Sequence, residues 1–378
     1  MKILYLLNAY EEDGPGLLIC RLASIISRKQ DVEVSSAAIS RGGDLKEKFD
    51  RAGIPTRVFG MKNALDAKNY LRLKKFLKRE KFDVVHTNIL RADIFGKLAA
   101  HSAGTPVIIS TEHGIHAWEH RGPLVRKAVK WFYLKTVKYS SGIICVSDHV
   151  KNALLREGVP ENKLHRIYNG VDTDLFVPTT GDERDKLRSF ITDQPVDYTV
   201  GLVGNLVEIK GIQYFMESLP QIFRKIPRLL VVVVGEGPLK DELRNETIEM
   251  GISDRVKFLG RLSSITSKIM SSLDVLVQPS LTESFGLAAA EALSCQVPVV
   301  ASNVGGLAEL IEDGVCGFLV PPRRPKALAE KVIEIIDDPI KRLQLGEQGR
   351  KRILAKFNIN KTAEDYLILY EDLLEAAS

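Results

Sequence analysis

Residues 274–293 read DVLVQPSLTESFGLAAAEAL. DVLVQPS is an apolar run of the kind a strand buried on both faces shows, and a helical stretch of small and apolar residues follows it. A strand leading directly into a helix is the building unit of a parallel sheet. Outward from this stretch the same alternation repeats. KILYLL, VEVSSAAI, FDVVHT, PVIIST and GIICVS in the first half, and TVGLVGN, LLVVVVGEG, VKFLG and VPVVAS in the second, are short runs separated by helical patterns such as LICRLASIISRK and NYLRLKKFLKRE. The expected fold is α/β: two doubly wound, Rossmann-like domains facing each other across a cleft.

With 378 residues the chain exceeds the size at which a single core stops growing. FVPTTGDERDKLR, residues 176–188, replaces periodicity with proline, glycine and charge and is the expected junction. The expected domains are 1–176 and 177–357. The amphipathic segment 358–378, containing DYLILYEDLL, is expected to pack back on the first.

Composition excludes several classes. The 45% apolar and 27% charged residues are those of a globular protein. No apolar run approaches the ~18 residues that a transmembrane helix needs. MKILYLLNAY reads as a first buried strand rather than a signal peptide. Cys20, Cys145, Cys295 and Cys316 are scattered without a C-x-x-C pair, and three of them sit in apolar contexts that suggest buried free thiols in a reducing cytoplasm. The net charge of +5 is uneven: residues 1–175 hold 29 Lys/Arg against 19 Asp/Glu, and the remainder holds 24 against 29. Different partners for the two halves are expected.

In open α/β sheets ligands bind beyond the carboxyl ends of the strands, so the loops there carry the candidate chemistry. DGPG (13–16) follows the first strand, and its glycines allow backbone amides to approach a phosphate; ordinary turn punctuation explains them equally well. GNLVEIKG (204–211) places Lys210 near a helix start, a poor position for a cation unless an anion comes to it. GEGP (235–238) lacks the full G-x-G-x-x-G fingerprint, which argues against a dinucleotide dehydrogenase. Glu283 and Glu291, eight residues apart, would lie ~12 Å apart along one helix, too far for the usual hydrolytic carboxylate pair. Glu283 is expected at the helix entrance beside the amides of Ser284–Leu287. Those amides suit a diphosphate, and the carboxylates suit hydroxyls on either side of it. Helix-dipole complementation explains Glu283 alone, but AAAEAL is not a solvent-facing composition for Glu291.

PSLTESFGLAAAEAL resembles the E-x7-E signature of the family 4 retaining nucleotide-sugar glycosyltransferases, which have the GT-B architecture. GPGLLICRLA, FDVVHTNILRADIFGKLAA, STEHG, VSDHV, IYNGVDTDLFVP, VGNLVEIKG, VVVVGEGP, VKFLGRL and VASNVGGLAELIEDGVCGFLV agree with that family in order across nearly the whole chain. The resemblance implies roles. Lys210 would bind the donor diphosphate, Glu291 the ribose hydroxyls and Glu283 the transferred sugar, with the Phe285, Gly286 and Leu287 backbone near sugar and phosphate. Gly14 would present its backbone to the diphosphate, His113 would face the sugar, and Arg261 with Leu262 would lie near the base. One position departs: the family's G-R-L-x-x-x-K-G arginine is Asn205 here, which cannot form a guanidinium clamp.

The implied activity is a cytoplasmic, metal-independent, retaining transfer of a hexose from a nucleoside diphosphate sugar, most readily a UDP-sugar. The acceptor would be a hydroxyl of a glycan or lipid-linked molecule in cell-surface polysaccharide biosynthesis, with no cofactor. A nucleotide-sugar epimerase and an inactive sugar- or nucleotide-binding homologue are the alternatives. Two further patterns are weaker. Asp172-x-Asp174 imitates a metal signature of another fold, and His113, His116, Glu119 and His120 have helix-like zinc spacing. Residues 68–82 and 121–139 are basic and amphipathic, the second with Trp131, Phe132 and Tyr133 among its cations. Peripheral contact with an anionic membrane is expected from the second, sheet coverage from the first, and no nucleic acid from either.

Overall fold

The computed structural model describes residues 1–63, 65–114, 122–262 and 266–377. The chain forms two compact units, Met1–Gly170 with Ile359–Ser378, and Val171–Asn358.

The first unit is built on a seven-stranded parallel sheet of β1 (Lys2–Leu7), β2 (Glu33–Ala38), β3 (Thr56–Val58), β4 (Val84–Asn88), β5 (Val107–Glu112), β6 (Gly142–Cys145) and β7 (Leu164–Arg166). The order is β3-β2-β1-β4-β5-β6-β7, reversing between β1 and β4. Ile3 pairs with Val34 on one side and Val84 on the other. Its helices are α1 (Gly14–Ile26), α2 (Leu45–Arg51), α3 (Ala67–Glu80), α4 (Leu90–Ala103), α5 (Pro123–Val137) and α6 (Asp148–Arg156). In α3 only Leu73 and Leu77 are buried, packed with Phe59 and Phe82, so 68–82 covers the sheet as an ordinary amphipathic helix.

The second unit begins with α7 (Gly181–Ile191). Its six parallel strands are β8 (Tyr198–Val203), β9 (Leu229–Val234), β10 (Val256–Gly260), β11 (Val275–Gln278), β12 (Val299–Ser302) and β13 (Gly317–Val320). The order is β10-β9-β8-β11-β12-β13, reversing between β8 and β11. Around it lie α8 (Ile212–Lys225), α9 (Lys240–Glu249), α10 (Thr266–Ser272), α11 (Leu287–Ser294), α12 (Gly305–Leu310), α13 (Pro325–Asp337) and α14 (Pro339–Lys356). Phe215, Met216, Leu219 and Ile222 of α8 meet Val332 and Ile335 of α13 in one buried cluster with the strands.

Two details differ from the sequence reading. The second unit starts at Val171 rather than after 176, because Val171 N donates to Phe357 O at 2.7 Å and Arg350 Nη1 holds Phe176 O at 3.1 Å. The expected irregular junction contains α7. Thr180 caps it, Asp182 and Glu183 suit its positive end, and Arg188 Nη2 ties it to the buried Asp274 at 2.5 Å.

The last helix, α15 (Ile359–Glu375), belongs to the first unit and is held by a buried polar network. Tyr370 Oη lies 2.5 Å from His86 Nδ1 and 3.1 Å from Tyr5 Oη. His86 Nε2 meets Thr111 Oγ1 at 2.7 Å, which also reaches Tyr366 Oη at 3.2 Å. Burial, helped by nearby His113, pushes the His86 pKa down to about 3. Such a network stabilises only while every member is satisfied.

Tyr370→Phe strips His86 and Tyr5 of a partner and should lower stability by about 1–3 kcal/mol in urea unfolding. An unchanged midpoint would show that α15 is held by apolar packing alone. The His86 shift also sets a pH dependence. The folded pKa lies below the unfolded value of 6.5, so the unfolded chain takes the proton first. Stability should therefore fall as pH drops from about 6.5 toward 3, and His86→Gln should flatten that dependence by up to about one proton.

Candidate active site

In the second unit the strand order reverses between β8 and β11, where ligands of open sheets bind. The loops after these strands touch. A Cβ on Gly211 would lie 2.0 Å from Pro279 O, and Leu281 N donates to Ile209 O at 2.8 Å. The neighbouring loop after β9 is equally close: a Cβ on Gly235, at φ +146°, would meet Gly204 O at 1.8 Å. Only glycine permits these approaches.

This contact brings Lys210 to Glu283, with Nζ 2.6 Å from Oε2. The same oxygen accepts from Gln278 Nε2 at 2.9 Å and Ser280 Oγ at 3.3 Å. Sequence reasoning named neither Gln278 nor Ser280. The available signal was a pair of polar residues ending an otherwise apolar run, and Gln278 is nearly buried. Asn205 is exposed and lines the same small cavity as Lys210, Gln278 and Ser280.

Glu283 does not open a helix, as the sequence reading had it. Helix α11 starts at Leu287, behind Gly286 at φ +99°, and Glu283 to Phe285 form a separate loop. The reason is packing. Gly306 N holds Glu283 O at 2.9 Å, and any Cβ on Gly306 would strike Ser284 O at 2.3 Å, so α12 presses the loop out of helical register. The ~12 Å estimate for two carboxylates on one helix therefore does not apply. Glu291 sits half-buried in the second turn of α11, among buried Ala289, Ala290, Ala292 and Leu293. The first amides of α11 have no partner within the helix and point toward its N-terminal side, where Phe285 meets Phe357 edge to face with ring centroids 5.6 Å apart. Arg261, exposed, and Leu262 follow edge strand β10, beside the β9 loop where Gly235 N donates to Gly260 O at 2.8 Å.

In the first unit the order reverses at β1 and β4. Gly14 is the exposed first residue of α1, and Asp13 caps the helix through Gly16 N at 2.8 Å. His113 follows β5, with Nε2 3.1 Å from Asn88 Oδ1 at the end of β4 and Nδ1 buried without a hydrogen-bond partner. Burial pushes its pKa down to about 4. Glu112 beside it accepts from Tyr133 Oη at 3.1 Å, and burial with the Asp93 charge pushes its carboxyl up to about 8. Asn88 and Glu112 were not singled out by sequence.

His116, Glu119 and His120 lie outside the described residues. Among the described residues no three His, Cys, Asp or Glu side chains form a metal-holding group. Asp172 accepts from Asp174 N at 3.3 Å and Leu175 N at 3.1 Å, so the D-x-D pattern is an Asx turn here. All four cysteines are buried and free, and no described helix is long and apolar enough to cross a membrane.

Comparison with known proteins bears on the family and the fold. Residues 183–352 match the model for glycosyl transferases group 1, and residues 19–175 match that for glycosyltransferase family 4. The UDP-Gal:alpha-D-GlcNAc-diphosphoundecaprenol alpha-1,3-galactosyltransferase of Escherichia coli is 30% identical over 85% of this chain and 83% of its own length. The capsular polysaccharide biosynthesis glycosyltransferase CapM of Staphylococcus aureus is 25% identical over 92% of each. Among solved structures, Anabaena HepE in complex with UDP-glucose superposes with a TM-score of 0.85 at 24% identity, over 98% of this chain and 100% of that one. The two switch-point sheets, the two family matches and the similarity over most of the galactosyltransferase lead to one conclusion: the chain belongs to the group 1, family 4 glycosyltransferases of GT-B fold.

Proposed function

We propose that this chain is a retaining hexosyltransferase that uses a UDP-sugar and needs no metal ion. Its acceptor is a hydroxyl of a glycan or lipid-linked molecule in cell-surface polysaccharide assembly. The observation that carries this reading is Lys210 held against Glu283 at the switch point, just before the α11 N-terminus. The lysine and the helix amides supply the positive field that a leaving diphosphate needs. The donor named for the Escherichia coli relative and the ligands in the Anabaena HepE complexes are UDP compounds, which supports the choice of base.

The chemistry is a front-face substitution. The C1–O bond to the diphosphate breaks, the bond from C1 to the acceptor oxygen forms on the same face, and the acceptor proton passes to the departing phosphate oxygen. Before donor arrives, Lys210 and Glu283 neutralise each other. A bound diphosphate competes for Lys210 and releases Glu283 to accept from sugar hydroxyls. Glu291 takes the ribose hydroxyls, with Arg261 and Leu262 near the base. The Phe285–Leu287 backbone lies at sugar and phosphate, and Gly14 offers its amide to the diphosphate. Asn205 leaves Lys210 without the family's second cation in this loop, so the lysine carries more of the charge.

The site of work is the cytoplasmic face of a membrane, with α5 as the contact. Leu124 (84% exposed), Val125, Trp131 and Phe132 face outward on this helix, and Lys127, Lys135 and Lys138 are exposed with them. Lys135 lies 5.7 Å over the Trp131 ring. Lys130 pairs with Glu157, which offsets its charge.

UDP at millimolar concentration should raise the melting temperature, and Lys210→Ala should lower kcat by about 10²–10³ while the fold survives. A wild type that binds no nucleoside diphosphate, or a lysine variant with normal turnover, would overturn the assignment. The α5 contact is checked separately. The protein should sediment with anionic vesicles at low salt and be released at high salt, each exposed lysine contributing ~1 kcal/mol. Replacing Lys127, Lys135 and Lys138 by Gln should weaken sedimentation, and a wild type left in the supernatant would point to a soluble acceptor.

A further inference from the structure

The surroundings of Asn88 fix the protonation of His113 as well as its position. β4 ends at Asn88, and Ile89 then turns the chain at φ +70° and ψ 135°. A β-branched residue adopts positive φ only where its surroundings impose it. The Asn88 side chain is buried, and its Nδ2 donates to His86 O at 3.4 Å. That contact sets the orientation of the amide, since a flipped side chain would set two carbonyl oxygens against each other. Oδ1 is then the atom 3.1 Å from His113 Nε2. A carbonyl oxygen only accepts, so Nε2 carries the proton and donates it. Burial keeps the ring neutral, so Nδ1 retains its lone pair, and that buried atom has no partner in the protein. A buried acceptor without a donor is costly unless a ligand supplies one.

We propose that Asn88 is a positioning residue that locks His113 in the Nε2–H tautomer, so that Nδ1 accepts a hydrogen bond from a hydroxyl of the carbohydrate substrate. The substrate class rests on the transferase reading above, whereas the tautomer rests on the Asn88 geometry and the burial of the ring. The lock selects for a hydroxyl donor at that point. A sugar lacking that hydroxyl leaves Nδ1 unpaired and binds more weakly.

Among the described residues, His86 lies near His113, and Asp93, Lys97 and Tyr133 lie near the adjoining Glu112. His86 on β4 is neutral through burial, and Asp93 and Lys97 of α4 pair at 2.8 Å. Tyr133 of α5 stays protonated, its pKa raised by burial and by Glu112. Glu112, pushed up to about 8, changes charge near neutrality in wild type and variants alike, so the comparison between them isolates His113.

The test is ¹⁵N NMR of the full-length protein with labelled histidine, His113 being identified by its loss in His113→Gln. The wild type should show Nε2 protonated and Nδ1 bare, unchanged from about pH 8 to 5.5. This measurement needs no variant at Asn88 to fold. Asn88→Asp sets a carboxylate against Nε2–H, which favours the imidazolium and moves its titration into the neutral range. Nδ1 then becomes a donor, and kcat/KM should fall about tenfold more than wild type between about pH 8 and 6. A wild-type His113 that carries its proton on Nδ1, or titrates near neutrality, overturns the proposal. So does an Asn88→Asp protein whose ring spectrum moves while its pH profile of transfer stays that of wild type. The expected tautomer in a protein that binds no nucleotide sugar would instead remove the carbohydrate and the transferase reading, and leave the lock standing.

Discussion

The absence of a side chain at Gly211 is the constraint on which the second unit's chemistry depends. Backbone from the β8 loop lies where a Cβ would be 2.0 Å from Pro279 O. That approach closes the gap left where the strand order reverses, and it turns a lysine from one loop onto a glutamate from the other. Gly235 against Gly204 repeats the device one strand further along, so three successive strand ends form one continuous platform. The platform is rigid because it is backbone against backbone. A charged pair mounted on it keeps its geometry without extensive side-chain packing.

The fold was legible because parallel strands are buried on both faces and announce themselves as unbroken apolar runs. LLVVVV of β9 is the clearest, with every residue buried. The individual site residues at strand ends were legible for the same reason: a charge such as Lys210 stands out where apolar periodicity stops. What the sequence could not disclose was contact between distant segments. AAAEAL reads as helix, but nothing local says that the helix waits until Leu287. That start is imposed by Gly306 pressing on Ser284 and Phe285, more than a whole strand and loop away in sequence. α7 was hidden for a related reason. Its charges look like a linker until Asp274, buried just before β11, is seen to bind Arg188. Gln278 and Asn88 escaped because a single amide in a strand is unremarkable until its partners are known.

The two units solve the problem of polar groups at strand ends in opposite ways. In the second, the charges are kept and paired, with one carboxylate oxygen taking an ammonium, an amide and a hydroxyl. In the first, burial suppresses charge. His86 and His113 are held neutral, while Asp93 stays paired with Lys97 and accepts from the Thr87 hydroxyl at 2.7 Å. A field that stabilises a leaving diphosphate requires fixed charge and aligned amides. Recognition of neutral sugar hydroxyls requires the reverse, acceptors and donors whose state does not change with modest shifts in pH.

That division also explains why the second unit can tolerate a missing guanidinium. With Asn205 exposed at the loop tip, the cation nearest the cavity is already held by Glu283. A second fixed cation there would help bind a diphosphate, but it would also compete for Glu283 and keep that carboxylate from sugar hydroxyls. With one lysine and one glutamate the proposed exchange would be symmetrical: an anion that captured the ammonium would free the carboxylate at the same moment. In the proposed mechanism, binding energy from the diphosphate would thereby be coupled to presentation of Glu283 to the sugar, within a single contact of 2.6 Å.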